Sequence, residues 1–142
     1  MIMKLNFFGA ILFFLLMGNI VAQNRDTIHF LPVKVKKIEF SERNQAYFIY
    51  AKSKQSKSKF VILSPINRND KLSNNLKPVK QGKKHLLEIE YLDKGLLILG
   101  SSGIYNAFGK EIIVRREIIW YGEIVIAHNL YGKYYESKQQ YK

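Results

Sequence analysis

The chain has 142 residues, carries 23 Lys/Arg against 11 Asp/Glu for a formal net charge of +12, and contains no cysteine. The lack of cysteine excludes a disulfide framework and a cysteine-linked lipid anchor. A hydrophobic content of 47% argues against intrinsic disorder, and the length suits one ordinary domain.

In chain order, the first element is an export segment. Lys4 supplies a positive charge, and Leu5 to Met17 are apolar except for Asn6 and Gly9. Gly18-Asn19 break the run, and Ala22 offers a small residue before a cut. This three-part pattern reads as a secretory signal peptide over residues 1–22. The run is short for a transmembrane helix, which needs roughly 20 apolar residues. The expectation is cleavage after Ala22 and a periplasmic or extracellular protein, with an uncleaved inner-membrane anchor as the alternative. Residues 23–142 then form a single β-rich domain, with an ordered core over about 28–135.

Strand patterns begin near Ile28. Val33 and Val35 alternate in one phase, Ile38 and Phe40 in the other. A period of two that slips by one residue predicts a β-bulge near Lys36-Lys37. Gln45 to Lys52 alternates Ala46, Phe48 and Tyr50 with Tyr47, Ile49 and Ala51. Residues 52–59, KSKQSKSK, form a polar tract before a short apolar strand over Lys59 to Ser64. Two strands flanking such a tract predict a hairpin. Pro65 to Asn75 reads as loop, with one helical turn around Lys71–Leu76. Lys80 to Lys83 form a turn into a strand over His85–Leu92, and Asp93-Lys94-Gly95 is a further turn signal.

Leu96 to Leu99 reads as a buried strand, and Gly100 to Gly109 as a loop because of its glycines and serines. Glu111 to Tyr121 gives the strongest strand pattern, with Ile112, Val114, Ile118 and Trp120 on one face. Ile124 to Ala127 adds another strand, and His128 to Tyr135 is expected to end in a helical turn.

The fold class expected is all-β: a small OB-like or related antiparallel barrel of about six to seven strands. A bulged first strand, a three-strand meander, a loop and further strands resemble the OB-fold family of Greek-key barrels. The stretch LKPVKQGKKHLLEIEYL looks like the turn into the fourth strand of such barrels in exported bacterial proteins. The resemblance spans roughly residues 28–92. It implies a binding face on the central strands and flanking loops, used for oligonucleotides or oligosaccharides. The helix usual between the third and fourth strands is missing or very short here, and the C-terminal half is longer than a minimal barrel needs. A β-sandwich or a lipocalin-like half-barrel stays open.

Three histidines, His29, His85 and His128, lack the spacing of a zinc site. No metal or other cofactor is expected. Glu88 and Glu90 lie two apart on one strand face. With His85 they are the best candidates for acid–base chemistry, but a solvated strand face is the plainer reading. Gly-Ser-Ser-Gly at 100–103 lacks the context of a phosphate loop or a nucleophile elbow.

Charge is the most unusual feature. Residues 23–84 hold fifteen Lys/Arg and four Asp/Glu, whereas residues 85–142 hold seven of each. Such asymmetry marks an electrostatic footprint for an anionic partner. The candidate ligand residues are Lys52, Lys54, Lys57 and Lys59 in one loop and Lys77, Lys80, Lys83 and Lys84 in another. Lysines are point charges suited to diffuse polyanions. The expected partners are an anionic glycan, a lipid headgroup or nucleic acid, and the expected role is a non-enzymatic binding module of the bacterial envelope. Aromatics interleave with this charge: Phe30, Phe40, Tyr47, Phe48, Tyr50 and Phe60. Stacked nucleobases would use them, although strand aromatics are usually core. The alternative role is a structural or protein-interaction domain that binds an envelope protein, its charge serving only solubility.

Overall fold

The computed structural model describes residues 28–68, 75–92, 97–98 and 102–137. The export segment, most of the helical turn expected at 71–76, the turn at 93–95 and the end of the C-terminal tail lie outside these residues.

β1 (His29–Ser41) carries the expected slip. Val35 pairs with Ala51, and the next partner pair is Lys37 with Tyr50, which leaves Lys36 as the bulged residue. The bulge bends the strand so that it serves two neighbours. Residues 29–34 pair with β5 (Lys84–Tyr91), and residues 33–41 pair with β2 (Ala46–Ser53). Backbone bonds from the turn fix the bend: Gly82 N–H donates to Val35 O at 2.7 Å, and Val35 N–H donates to Lys83 O at 3.0 Å. Gly82 sits at φ +81, a conformation that glycine adopts without steric cost.

β2 continues through the Lys/Ser hairpin into β3 (Lys59–Pro65). β3 then pairs in parallel with β9 (Glu123–Ala127), and β9 pairs antiparallel with β5. The order β1-β2-β3-β9-β5 closes on itself as a five-stranded barrel. This is the small all-β barrel expected from the strand pattern, and its closed five-strand order is compatible with an OB-like barrel. Among the described residues seven strands run five residues or longer: β1, β2, β3, β5, β7 (Ser102–Ala107), β8 (Lys110–Arg115) and β9.

Alternation decides what fills the barrel. Val33, Val35, Ile49, Ala51, Phe60, Ile62, Leu87, Ile89, Val125 and Ala127 point inward and are buried. Burying a side chain such as Phe60 contributes about 1.5–3 kcal/mol. One end is closed by a second three-stranded sheet of β4 (Leu76–Pro78), β10 (Leu130–Tyr131) and β11 (Tyr134–Glu136), which brings Val79, Leu130 and Tyr135 against the core. The helical turn expected at the end of 128–135 is instead this small hairpin, turned at Gly132 with φ +58.

The segment between β5 and β9 packs on the outside of the barrel. β6 (Leu97–Ile98), β7 and β8 form a three-stranded sheet, followed by α1 (Arg116–Tyr121). Two sequence expectations are corrected here. Residues 102–107, read as loop, are strand. Gly103, Tyr105 and Ala107 alternate inward, a period hidden by the Gly/Ser composition around it. Residues 116–121, read as a continuation of the strand, are helical. In an extended chain Ile118 and Trp120 would share a face. In the helix Ile118 is buried while Trp120 is 74% exposed. Gly122 follows the helix at a close approach to β3. A Cβ there would lie 2.2 Å from the Lys59 carbonyl oxygen, so the chain runs hard against β3 before entering β9.

This outer layer buries Phe48, Tyr50, Val61 and Leu63 of β2 and β3 against Tyr105, Ala107, Ile112, Val114 and Ile118. β2 is therefore covered on both faces over residues 46–50 and β3 over residues 61–63, leaving the Lys52 end of β2 open, and Tyr50, with the half-buried Tyr47 behind it, is not left as an exposed ring.

Candidate anion-binding face

The barrel has one strongly cationic outer face, on β5, β1 and β2. Because Val33 and Val35 point inward, Lys34 between them points out. Lys34 is the register partner of Lys52 on β2 and also of Lys84 on β5. Three lysines thus stand in one row across three adjacent strands. Neighbouring strands are about 4.8 Å apart, so these like charges face each other directly, an arrangement that destabilises a sheet.

The β2–β3 hairpin completes the face. Ser53 N–H donates to Ser58 O at 2.9 Å, and Lys57 takes a left-handed φ of 55. The loop and the row border an open hollow of about 310 Å³ lined by Lys34, Lys36, Lys52, Ser53, Lys54 and Lys57. No carboxylate lines it. The Lys54 amine is held below the ordinary lysine range, first by the neighbouring Lys84 side chain and its charge, then by desolvation and the charges of Lys34 and Lys36. Ser53 is fully buried, and its hydroxyl finds no hydrogen-bond partner among the described residues.

Of the eight lysines singled out in the sequence, Lys52, Lys54 and Lys57 line this hollow, and Lys84 joins them through Lys54 and Lys34. Lys80 and Lys83 form the turn bonded to the β1 bulge, with Lys83 N–H donating to Lys80 O at 3.2 Å. Lys59 points elsewhere: its ammonium lies 5.6 Å from the centre of the Tyr121 ring. Lys77 belongs to the end sheet, opposite Tyr135. The loop-based reading missed Lys34 and Lys36. Their signal was in the sequence all along, as the polar phase of Val-Lys-Val-Lys. Lys37 does not add to the field in the same way, since it pairs with Glu39 at 3.5 Å.

The ligand face implied by the OB-fold resemblance is not open on the central strands, because the β7–β8 hairpin and α1 pack over β2 and β3. Of the six interleaved aromatics, Phe48, Tyr50 and Phe60 are buried, whereas Phe30 and Phe40 are exposed.

The acid–base candidates do not converge. His85 points into the barrel end, where its Nε2 accepts the Lys80 N–H at 3.2 Å and its ring packs on Tyr135 at 4.7 Å. Burial pushes its pKa below the usual histidine range, with a smaller opposing effect from the Lys80 backbone. Glu88 and Glu90 lie on the outside of the same strand. Glu88 is buried there rather than solvated, beside Asn129, whose Oδ1 accepts the Glu88 N–H at 2.9 Å. Glu90 pairs with His128. Above that pair, the Arg68 guanidinium stacks between Phe108 at 3.6 Å and Tyr131 at 4.4 Å and donates to the carbonyls of His128 and Leu130. These contacts tie the chain after β3 to the β9–β10 connection.

The fold and its lysine row define a small closed β-barrel with a cationic outer face. Compared with protein-family models, with curated proteins and with solved structures, the chain shows no significant match.

Proposed function

We propose that this chain is an exported, non-enzymatic binding domain of the cell envelope that contacts an anionic polymer through the outer face of β5, β1 and β2. The observation that carries the reading is the Lys84–Lys34–Lys52 row. A sheet that places three like charges in register gives up stability, and an anion seated on the row returns it. A charge spread for solubility alone has no need of such a row. The lysine-lined hollow beside it provides a place for that anion, without a competing carboxylate.

Fluorescence anisotropy with a labelled acidic polysaccharide, read from 50 to 300 mM salt, tests the proposal. Binding is expected to weaken steeply with salt and to fall at least tenfold in the triple variant Lys34→Gln, Lys52→Gln, Lys54→Gln. Binding indifferent to salt and to the triple variant would refute it. Capture of a protein partner that survives high salt and ignores those lysines would instead support an interaction domain.

A further inference from the structure

The lysine hollow has a neighbour of different character. Lys57 lines both it and a second hollow of about 560 Å³. That volume falls within the roughly 300–1,000 Å³ of ordinary ligand sites, which combine apolar walls with a few polar groups. Tyr105, Ile119, Tyr121 and Leu92 supply such walls, and Lys59 and Glu123 stand among them. The two hollows therefore differ in charge: the first is lined by five lysines and Ser53 with no carboxylate, whereas the second sets the exposed Glu123 carboxylate among Lys57 and Lys59.

This difference selects among polyanions. A nucleic-acid strand carries a phosphate on every unit, so a strand running through both hollows brings one phosphate against Glu123 as well as beside Lys57 and Lys59. An acyl chain entering the second hollow would desolvate Glu123, Lys59 and the tyrosine hydroxyls without pairing them. An uncharged sugar ring meets neither difficulty. Its hydroxyls donate to the Glu123 carboxylate, its C–H faces pack on tyrosine rings, and a charged sugar next to it falls among the lysines.

We infer that the two hollows, joined at Lys57, form one site for an acidic oligosaccharide in which uncharged and anionic sugars alternate. The uncharged sugar occupies the Tyr121–Glu123 hollow and the anionic sugar the lysine hollow. This rests on the anionic-polymer reading above and names its ligand class.

The test uses two soluble probes, a hexasaccharide alternating uronate with N-acetylhexosamine and a hexamer of thymidine nucleotides, together with phosphatidylglycerol vesicles, each titrated against the purified protein. Glu123 is exposed, so Glu123→Gln leaves the core untouched. This variant keeps an acceptor oxygen but loses its charge, so it is expected to weaken the hexasaccharide about fivefold, the difference between a hydrogen bond to a charged acceptor and one to a neutral acceptor, and to tighten the nucleotide by removing a like charge. Opposite signs are not produced by a merely structural role. Tyr121→Ala, checked for folding by circular dichroism, is expected to weaken the hexasaccharide more than the nucleotide. The inference is overturned if Glu123→Gln leaves the hexasaccharide unchanged, or if the wild-type protein prefers the nucleotide or phosphatidylglycerol vesicles. If Lys34→Gln with Lys52→Gln alters neither probe, the anionic-polymer reading fails instead.

Discussion

Lys34→Gln separates a functional lysine row from a merely soluble surface, because stability and binding should move in opposite directions. Lys34 faces Lys52 on one side and Lys84 on the other. A like-charge pair directly opposite in a sheet costs about 0.2–1 kcal/mol. Removing the central charge relieves both pairs, for a gain of about 0.4–2 kcal/mol. At about 4 °C per kcal/mol for a domain of this size, Tm rises by roughly 2–8 °C. The gain is electrostatic between half-exposed or exposed groups, so it must fade as the Debye length shrinks from about 10 Å at 0.1 M salt to about 3 Å at 1 M. Differential scanning calorimetry at 50 mM and 1 M NaCl reads both numbers. A Tm that is unchanged or lowered at 50 mM, or a gain of equal size at 1 M, would refute the reasoning.

Two further predictions follow from single sites. Gly122→Ala places a methyl carbon against the backbone of Lys59, which no rotamer can relieve; a loss of about 1–3 kcal/mol or more is expected in urea unfolding, and a neutral substitution would show that β9 does not run so close to β3. His85 has a folded-state pKa below its unfolded value, chiefly through burial. The unfolded chain therefore binds the proton first, and stability falls as pH drops below about 6.5 toward the folded pKa. In His85→Gln that part of the pH slope should vanish, and an unchanged slope would remove His85 as its source.

Much of the barrel is legible in the chain because its signals are local. The phase slip in β1, the Tyr/Phe/Ile alternation in β2 and the turn at Lys80–Lys83 each need only a few neighbouring residues, and each is found where the pattern puts it. The outer layer is less legible. β7 is masked by Gly and Ser, and its buried alternation matters only because β2 and β3 offer an apolar outer face to cover. α1 has an apolar alternation that fits a strand, so the helix that buries Ile118 and exposes Trp120 is not legible from the residues themselves. The site is half legible. The loop lysines advertise themselves by composition, but the row through Lys34 exists only in the pairing register of three strands. Periodicity along one strand cannot supply that register.

The parallel pairing of β3 with β9 has a consequence for how the molecule is made. Phe60 to Ile62 must wait for Glu123 to Val125, so the chain is synthesised for some sixty residues with one edge of its central hairpin unpaired. β1, β2 and β3 can zip locally, but the loop that β9 closes is long, and closing it sets a late, slow step. Until then β3 presents an apolar strand, Phe-Val-Ile-Leu, as a free template for any similar strand nearby. Truncation before residue 123 would make that transient edge permanent. The last third of the chain thus acts as the domain's own chaperone: β9 fills the edge, and the hairpin that precedes it shields the strand's outer side.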